Sequence, residues 1–335
     1  MITLDNISLL LVTAVNDENR LRSVYQHLRQ QYPINEMVIV YDNCCSILKQ
    51  NDPNLIQVDT TERVYVSKGY NLAIQNCTKD YFVFLHDDTY TAPDFLENLI
   101  PHLSSTSFCN FVTVEPPLFG NPNTIQKPIQ NFGLSADTFD KKAFDSFYWN
   151  HVGNLPHTTE SSPFGGFFMA GHVSTFKSVG GFDERFVPYF YEDSDLMVRL
   201  HLAGYRFTLV LNSIVYHIGS LTSRTSADSI TAHNTTRDIF FQKWKTSFEH
   251  FKHYTMINNI EYKDPNAKIQ AYDVNENLNS LLKTLHNESG SVIIEIDGKT
   301  ISQSDVDFLL QMPYILQDVE PNTQYQLGNL LIKTQ

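Results

Sequence analysis

Ile7-Ser8-Leu9-Leu10-Leu11-Val12-Thr13, Asn16-Asp17-Glu18-Asn19 and Met37-Val38-Ile39-Val40-Tyr41-Asp42-Asn43 are the stretches that decide the fold. The first is a nearly continuous apolar run, the pattern of a central parallel strand covered on both faces. The second supplies caps and acidic first-turn residues for a helix. That helix runs from about Arg20 to Gln31, with Leu21, Val24, Tyr25 and Leu28 at helical spacing and Pro33 ending it. The third is a second strand, so the order predicts a right-handed βαβ unit. Ligands of open α/β sheets bind beyond the carboxyl ends of the strands, which is where Asp42 falls.

Working outward, a short strand is expected at Leu55–Val58, a helix around Lys68–Asn76, and a strand at Tyr81–Leu85 running directly into His86-Asp87-Asp88. A helix follows from about Pro93, with proline at a first-turn position where its missing N–H costs little. Residues 116–163 are rich in Pro, Asn, Gly and aromatics without a clean period, and read as a long, partly ordered loop region of the kind that often serves as a lid or binding surface. Order returns at Phe164–Gly171, followed by a short helix near Ser174–Ser178 and a turn at Gly180-Gly181-Phe182-Asp183. A helix from about Asp193 to Ala203 stops at Gly204, a C′ glycine. The strand Arg206–Leu211 and the segment Ile214–His217 close the domain. After a Ser/Thr cluster at Thr222–Thr231, a helix carries Arg237, Phe240, Phe241, Lys243 and Trp244. Beyond residue 250 the chain turns polar and Asn-rich. Helices near Asn275–His286 and Ser304–Gln311 and a strand at Ser291–Ile296 suggest a small appendage. The expected division is a domain of residues 1–250 and an appendage of residues 251–335, a candidate surface for homo-oligomer formation.

The 335 residues are 42% apolar and 18% charged, a composition with a real core. The formal net charge of −13 argues against nucleic acid as a partner, while a nucleotide stays open because a metal ion can reverse the local sign. Cys44, Cys45, Cys77 and Cys109 form no C-x-x-C pair, so neither a zinc knuckle nor a disulfide framework is indicated. Free thiols fit a reducing compartment. The run Ile7–Val15 is too short to span a bilayer and lacks the flanks of a secretion signal. No transmembrane segment is expected, and the expected location is cytoplasmic, with peripheral attachment to a membrane left open.

Three features could carry chemistry. Asp87-Asp88 directly after an apolar strand forms a hard-oxygen site suited to Mn²⁺ or Mg²⁺, although a strand-end aspartate alone is often only a turn former. Tyr191-Glu192-Asp193-Ser194-Asp195 crowds three carboxylates at a helix start. These complement the helix dipole, Asp195 doing only that, while Asp193 could face a cleft as a general base. His217, at the end of an apolar segment, is a candidate metal ligand, though a lone histidine is more often a packed one. No G-x-G-x-x-G follows the first strand, and there is neither a G-x-x-x-x-G-K-[ST] loop nor a G-x-S-x-G elbow.

The order of these features resembles the family 2 glycosyltransferases of the glycosyltransferase-A fold. Ile7–Gln31 with Val38-Ile39-Val40-Tyr41-Asp42-Asn43 is similar to that family's nucleotide-binding start, and Lys68-Gly69-Tyr70-Asn71-Leu72-Ala73 to its Gly/Asn segment. His86-Asp87-Asp88 resembles the D-x-D region, with His86 where an acidic residue is common. Gly180–Phe186 followed by Tyr191–Leu196 and Arg199-Leu200 resembles the acceptor-side block, and Val215-Tyr216-His217 the later histidine. The resemblance covers about residues 5–245. It implies a Rossmann-like α/β domain with a mixed, mostly parallel sheet flanked by helices, the residues beyond 250 forming a small α/β appendage.

The activity implied is inverting transfer from a nucleotide-sugar donor, with UDP first and dTDP next, to a glycan or glycoconjugate acceptor. Asp88 and His217 would hold Mn²⁺ or Mg²⁺, and Asp42, Asn16, Asn71 and Asp87 would contact the donor. Asp193 would be the base and Glu192 would lie on the acceptor side. The alternatives are a catalytically inactive nucleotide-sugar or glycan-binding module on the same fold and, more remotely, a nucleotidyltransferase.

Overall fold

A computed structural model describes residues 2–14, 17–48, 52–117, 124–152, 157–160, 166–202, 205–219, 227–244, 324–327 and 330–333. Its first elements are β1 (Ile7–Thr13), α1 (Glu18–Gln31), β2 (Glu36–Tyr41), β3 (Leu55–Asp59), α2 (Tyr65–Asn76) and β4 (Tyr81–Phe84). The middle of the chain adds β5 (Thr89–Thr91), α3 (Phe95–Leu99), β6 (Ser107–Val114), α4 (Lys141–Val152), β7 (Thr158–Glu160) and β8 (Met169–His172). Then come α5 (Val173–Ser178), α6 (Glu192–Leu202), β9 (Arg206–His217) and α7 (Ala227–Trp244). A two-stranded antiparallel hairpin, β10 (Gln324–Leu327) and β11 (Leu330–Lys333), is described separately.

Among the described residues one mixed sheet has the order β3-β2-β1-β4-β8-β6-β9-β5, with β7 also on β9. β3, β2, β1 and β4 are parallel to one another, and β6 is parallel to β9. β8 runs antiparallel between β4 and β6, so β4, β6 and β9 all point the same way as β1. Their carboxyl ends therefore share one edge, and so does the amino end of β8.

The sheet is covered on both sides because β1 alternates within an all-apolar run. Leu9 and Leu11 pack with Leu21, Val24 and Leu28 of α1. Leu10 points to the opposite face, with Tyr70 and Ala73 of α2 and Leu196 and Leu200 of α6. Each such side chain contributes roughly 1.5–3 kcal/mol on burial. The side chain of Asp17 caps α1 by accepting from Arg20 N at 3.1 Å, which fixes where Arg20 leaves the helix.

Several expectations need correction. Residues 116–163 are not one long loop: they contain α4 and β7. Phe144 and Tyr148 are the buried residues of α4, so the helix has a narrow apolar stripe, and the exposed Trp149 masks its period. Phe144 and Phe132 pack beside Tyr216 of β9. The strand β6, central and almost wholly buried, is not in the sequence reading at all. Arg206–Leu211 and Ile214–His217 form one strand, β9, whose pairing with β6 shifts register opposite Phe111/Val112. The helix after Pro93 is only five residues long, and Pro93 precedes its N-cap, Asp94, instead of occupying the first turn. Gly204 and the expected elements at 275–286, 291–296 and 304–311 lie outside the described residues.

α2 lies close against β1. A Cβ at Gly69 would come 2.7 and 2.9 Å from the two Cγ atoms of Val12. Valine is stiff at χ1 and cannot swing clear. Gly69→Ala is therefore expected to lower stability by about 1–3 kcal/mol through overpacking, and Val12→Ala in the same chain should recover part of the loss. Urea unfolding of the single and double variants checks this; equal loss in both would place the strain elsewhere.

Candidate active site

β4 ends at Phe84, and the chain passes through Leu85 into His86-Asp87-Asp88 at the shared edge. β5 then turns back along β9, with Thr89 opposite His217, and Ile218 N donates to Asp88 O at 3.1 Å. Backbone pairing thus sets Asp88 beside His217, whose Nε2 lies 3.3 Å from Asp88 Oδ1. On its other side His217 Nδ1 is 3.3 Å from Oε1 of Glu115, the residue following β6. His86 completes the group. The candidate ligand atoms of His86, Asp88 and His217 all lie within 4.8 Å of one another. Phe167 and Phe168, leading into β8, pack their rings on His86 at 4.5 and 4.9 Å, and Phe168 also touches His217.

Alternation along the extended chain separates the two aspartates. His86 and Asp88 face the cluster. Asp87 turns away, accepting from Thr13 Oγ1 at 2.6 Å and from the Arg20 guanidinium at 3.0 Å. Burial pushes the Asp87 carboxyl up; Arg20 opposes this and the charge of Asp88 adds to it. For Asp88 burial acts in the same upward direction, but the positive charge of His217 outweighs it and holds the group below the usual carboxylate range. Burial would lower His217, yet Asp88 and Glu115 on either side raise it to about 9. Burial and the neighbouring His217 lower His86 to about 3, so it is a neutral imidazole.

The trio fits a divalent cation. His86 Nε2 is cut off from solvent without a hydrogen-bond partner, which is costly unless something binds there, and Asp88 Oδ1 beside it is met by His217 Nε2 at 3.3 Å. Neutral imidazole and carboxylate are donors to such ions, and the proton on His217 marks the position a cation would take over. Glu115 on Nδ1 would orient that ring from behind.

The acidic helix start lies at the amino end of α6. Phe190 and Tyr191 have positive φ, 78° and 65°, immediately before it. Glu192 is buried with Oε2 unpartnered, and burial together with the neighbouring Asp193 raises it to about 8. Asp193 is partly exposed and accepts from Ser194 N at 2.7 Å. Burial raises it as well, but the Ser194 amide and the charge of Lys127 counter this. Two adjacent carboxylates cannot easily both ionise, and both groups are held above their ordinary values. Lys127 Nζ also stands 3.8 Å from Glu115 Oε1, which links this end to the histidine cluster.

The structure therefore brings Asp88 and His217 together, with Asp87 turned away beside them, and places Asp193 at the amino end of α6. Asp42, at the end of β2, is buried and accepts from Val64 N at 2.6 Å, with Arg63 Nε at 3.4 Å. Asn71 clamps α2 to the glycine turn: its amide exchanges hydrogen bonds with the backbone of Phe182, both at 2.9 Å, and reaches Glu184. Asn16 lies outside the described residues. The sequence reading noted His86 only as a departure and missed Glu115, Arg20, Thr13 and Lys127. The signal for His86 was its i, i+2 relation to Asp88; Glu115 had none once β6 was overlooked.

Asp195, read as a helix-start charge only, is wholly buried and bonded to Arg199 Nε at 2.9 Å. Lys243 of α7 bridges Asp195 at 2.8 Å and Asp183 at 2.7 Å, and Arg185 adds a second cation to Asp183. These contacts tie the glycine turn, α6 and α7 together.

Residues 10–170 match the family model for Glycosyl transferase family 2, and residues 155–221 the model for the N-terminal domain of galactosyltransferase. No curated protein matches the sequence. Among solved structures the chain is similar to GalNAc-T7 crystallised with UDP, GalNAc and Mn²⁺, with 13% identity and a TM-score of 0.52 over 86% of this chain. The chain spans only 55% of the length of that neighbour. It is less similar in shape to S. aureus TarS 1-349 in complex with UDP, at 11% identity and TM-score 0.46 over 97% of this chain and 95% of that one. The same holds for the mannosyltransferase PcManGT from Pyrobaculum calidifontis in complex with GDP-Man and Mn²⁺, at 16% identity and TM-score 0.44 over 65% and 58%. The sheet has the glycosyltransferase-A fold, and the chain is similar to the family 2 glycosyltransferases over the residues that match their model.

Burial would raise the Asp183 carboxyl, but the hydrogen bond from Arg185 and the charge of Lys243 hold it below its ordinary value of 3.8. A depressed carboxylate contributes stability that is complete above the unfolded value and disappears as pH falls through the folded one. Asp183→Asn is expected to cost about 3 kcal/mol near pH 7, the scale for stripping one partner from a buried pair. The gap to the native chain should narrow as pH drops below 3.8. Urea unfolding at pH 7 and pH 3 measures it; an undiminished gap at low pH would remove the ionised Asp183 from the account.

Proposed function

We propose that the protein is an inverting, metal-dependent glycosyltransferase that moves a sugar from a nucleoside-diphosphate donor to a hydroxyl of a glycan or glycoconjugate. The observation that carries this reading is the trio His86, Asp88 and His217, whose candidate ligand atoms lie within 4.8 Å of one another at the carboxyl edge of the sheet, with His86 Nε2 solvent-excluded and unpartnered. These residues would hold a divalent cation, which supplies charge neutralisation to a departing diphosphate. Two imidazoles and one carboxylate favour Mn²⁺ over Mg²⁺, which prefers oxygen and keeps its water. UDP is the first nucleotide to test, in keeping with the fold neighbour crystallised with UDP and Mn²⁺, and dTDP the next.

In this reading Asp193 removes the acceptor proton. The acceptor oxygen bonds to the anomeric carbon, and the bond to the diphosphate breaks with its electron pair leaving on the phosphate oxygen. Glu192, protonated beside it, keeps a second negative charge away from the incoming hydroxyl. Asp42 lies two strands from β4 along the edge, roughly 10 Å at ordinary inter-strand spacing. A nucleotide lying along the edge from the trio would bring its ribose or base there. Asp87 supports the site through Arg20 and Thr13.

A panel of nucleotide-sugars, assayed for release of the free nucleotide with candidate acceptors, tests the reading. Asp193→Asn should lower turnover about 10²–10⁴-fold, the usual worth of a general base, while Mn²⁺-dependent donor binding persists. Asp88→Ala or EDTA should remove that binding. Full turnover in EDTA would end the metal assignment, and loss of donor binding in Asp193→Asn would move Asp193 out of the base role.

A further inference from the structure

Lys127 has no part in the roles assigned above, yet its surroundings are built. The segment carrying it runs along the end of β6: Thr113 N donates to Gln126 O, Glu115 N to Pro128 O and Gln130 N to Glu115 O, at 2.9, 3.0 and 3.0 Å. A tight turn fixes the residue itself, since Lys127 N donates to Thr124 Oγ1 at 3.0 Å and Thr124 N to Lys127 O at 3.2 Å. The side chain passes over Gly166, where an added Cβ would lie 3.9 Å from both Cε and Nζ. Gly166 has φ +85°, a conformation that favours glycine, so a bare backbone is kept under the ammonium. One side of Nζ faces Glu115, the carboxylate behind His217, and the side chain remains 35% exposed. Its charge also acts on Asp193 and His86. Lys127 thus stands beside Glu115, the carboxylate that backs a candidate metal ligand, with solvent on its open side.

The local charges say what such a cation is for. Asp87, Asp88, Glu115 and Asp193 crowd one edge of a chain with net charge −13, and Arg20 is already held by Asp87 at 3.0 Å. A diphosphate approaching this edge meets repulsion, and one divalent cation beside Asp88 offsets only part of it. Lysine is a compact point charge suited to phosphate oxygens and able to follow them as charge moves. We infer that Lys127 binds the leaving diphosphate of the donor, as the second positive contact beside the metal position. The inference rests on the nucleotide-sugar reading above.

Calorimetric titration of the full chain in Mn²⁺, with UDP, dTDP and UMP as probes, tests it. Lys127→Met should weaken the diphosphates about 10- to 100-fold, the scale of a lost hydrogen bond to a charged group. UMP affinity and the melting temperature should hardly change, and Lys127→Arg should restore most of the loss. Equal weakening of UDP and UMP, or none of either, overturns the inference while the donor reading stands. If the native chain binds neither UDP nor dTDP in Mn²⁺, the donor reading fails and this one with it.

Discussion

Asp88 and His217 meet because two backbones are in register, and the side chains have little freedom to do otherwise. Thr89 pairs with His217 and Ile218 N closes on Asp88 O. A slip of one residue in that antiparallel pairing would turn His217 to the other face and leave the Asp88 carboxylate buried without its cation. β5 is only three residues long, and its position depends in turn on β9, which is held along its length by β6. Tyr216, preceding His217, is sandwiched by Phe132, Phe139 and Phe144. The helix hidden in the 116–163 stretch is thus part of what keeps the metal-ligand candidate in place.

The same alternation decides the chemical character of the site. Two adjacent aspartates suggest an all-oxygen pair, but period two sends Asp87 to Thr13 and Arg20 and pairs Asp88 with His86. Arg20 has a structural reason to be there: it sits in the first turn of α1, positioned by the Asp17 cap. A cap at the start of the first helix therefore determines which carboxylate is available to a cation. The result is a nitrogen-rich donor set in an acidic chain, a borderline environment instead of a hard one.

Legibility in the sequence followed the strength of local patterns. The β1–α1–β2 unit was readable because apolar runs and helical spacing are both local, and Asp42, Asp88 and His217 were readable as strand-end residues. β6 and α4 were not. In β6, Asn110 and Thr113 interrupt the apolar run, and the amide of Asn110 donates to Phe168 O, a partner no local window contains. In α4 the buried stripe is two aromatics wide. His86 was visible but was judged by the residue expected there, not by its own geometry. Asp195 reads as a dipole charge in the sequence because burial of its pair with Arg199, four residues on, and its second cation Lys243, far along the chain, are tertiary features.

The amino end of α6 shows why that distant partner matters. Phe190 and Tyr191 hold positive φ just ahead of Glu192 and Asp193, and non-glycine residues in that region cost of order 1–3 kcal/mol each. Strain persists only where neighbours over-determine the conformation. Here Tyr191 packs on His233 and Phe240 of α7, Asn71 grips Phe182, and Lys243 joins Asp183 to Asp195. Buried ion pairs contribute little net stability, because desolvation offsets most of the attraction. Their geometry is nevertheless demanding: Lys243 reaches both carboxylates only if the glycine turn, α6 and α7 keep their relative positions. α7 lies beyond the residues that match either family model, yet it closes the clamp on the strained turn. The reach of the proposed base is thus set by a helix that neither family model covers.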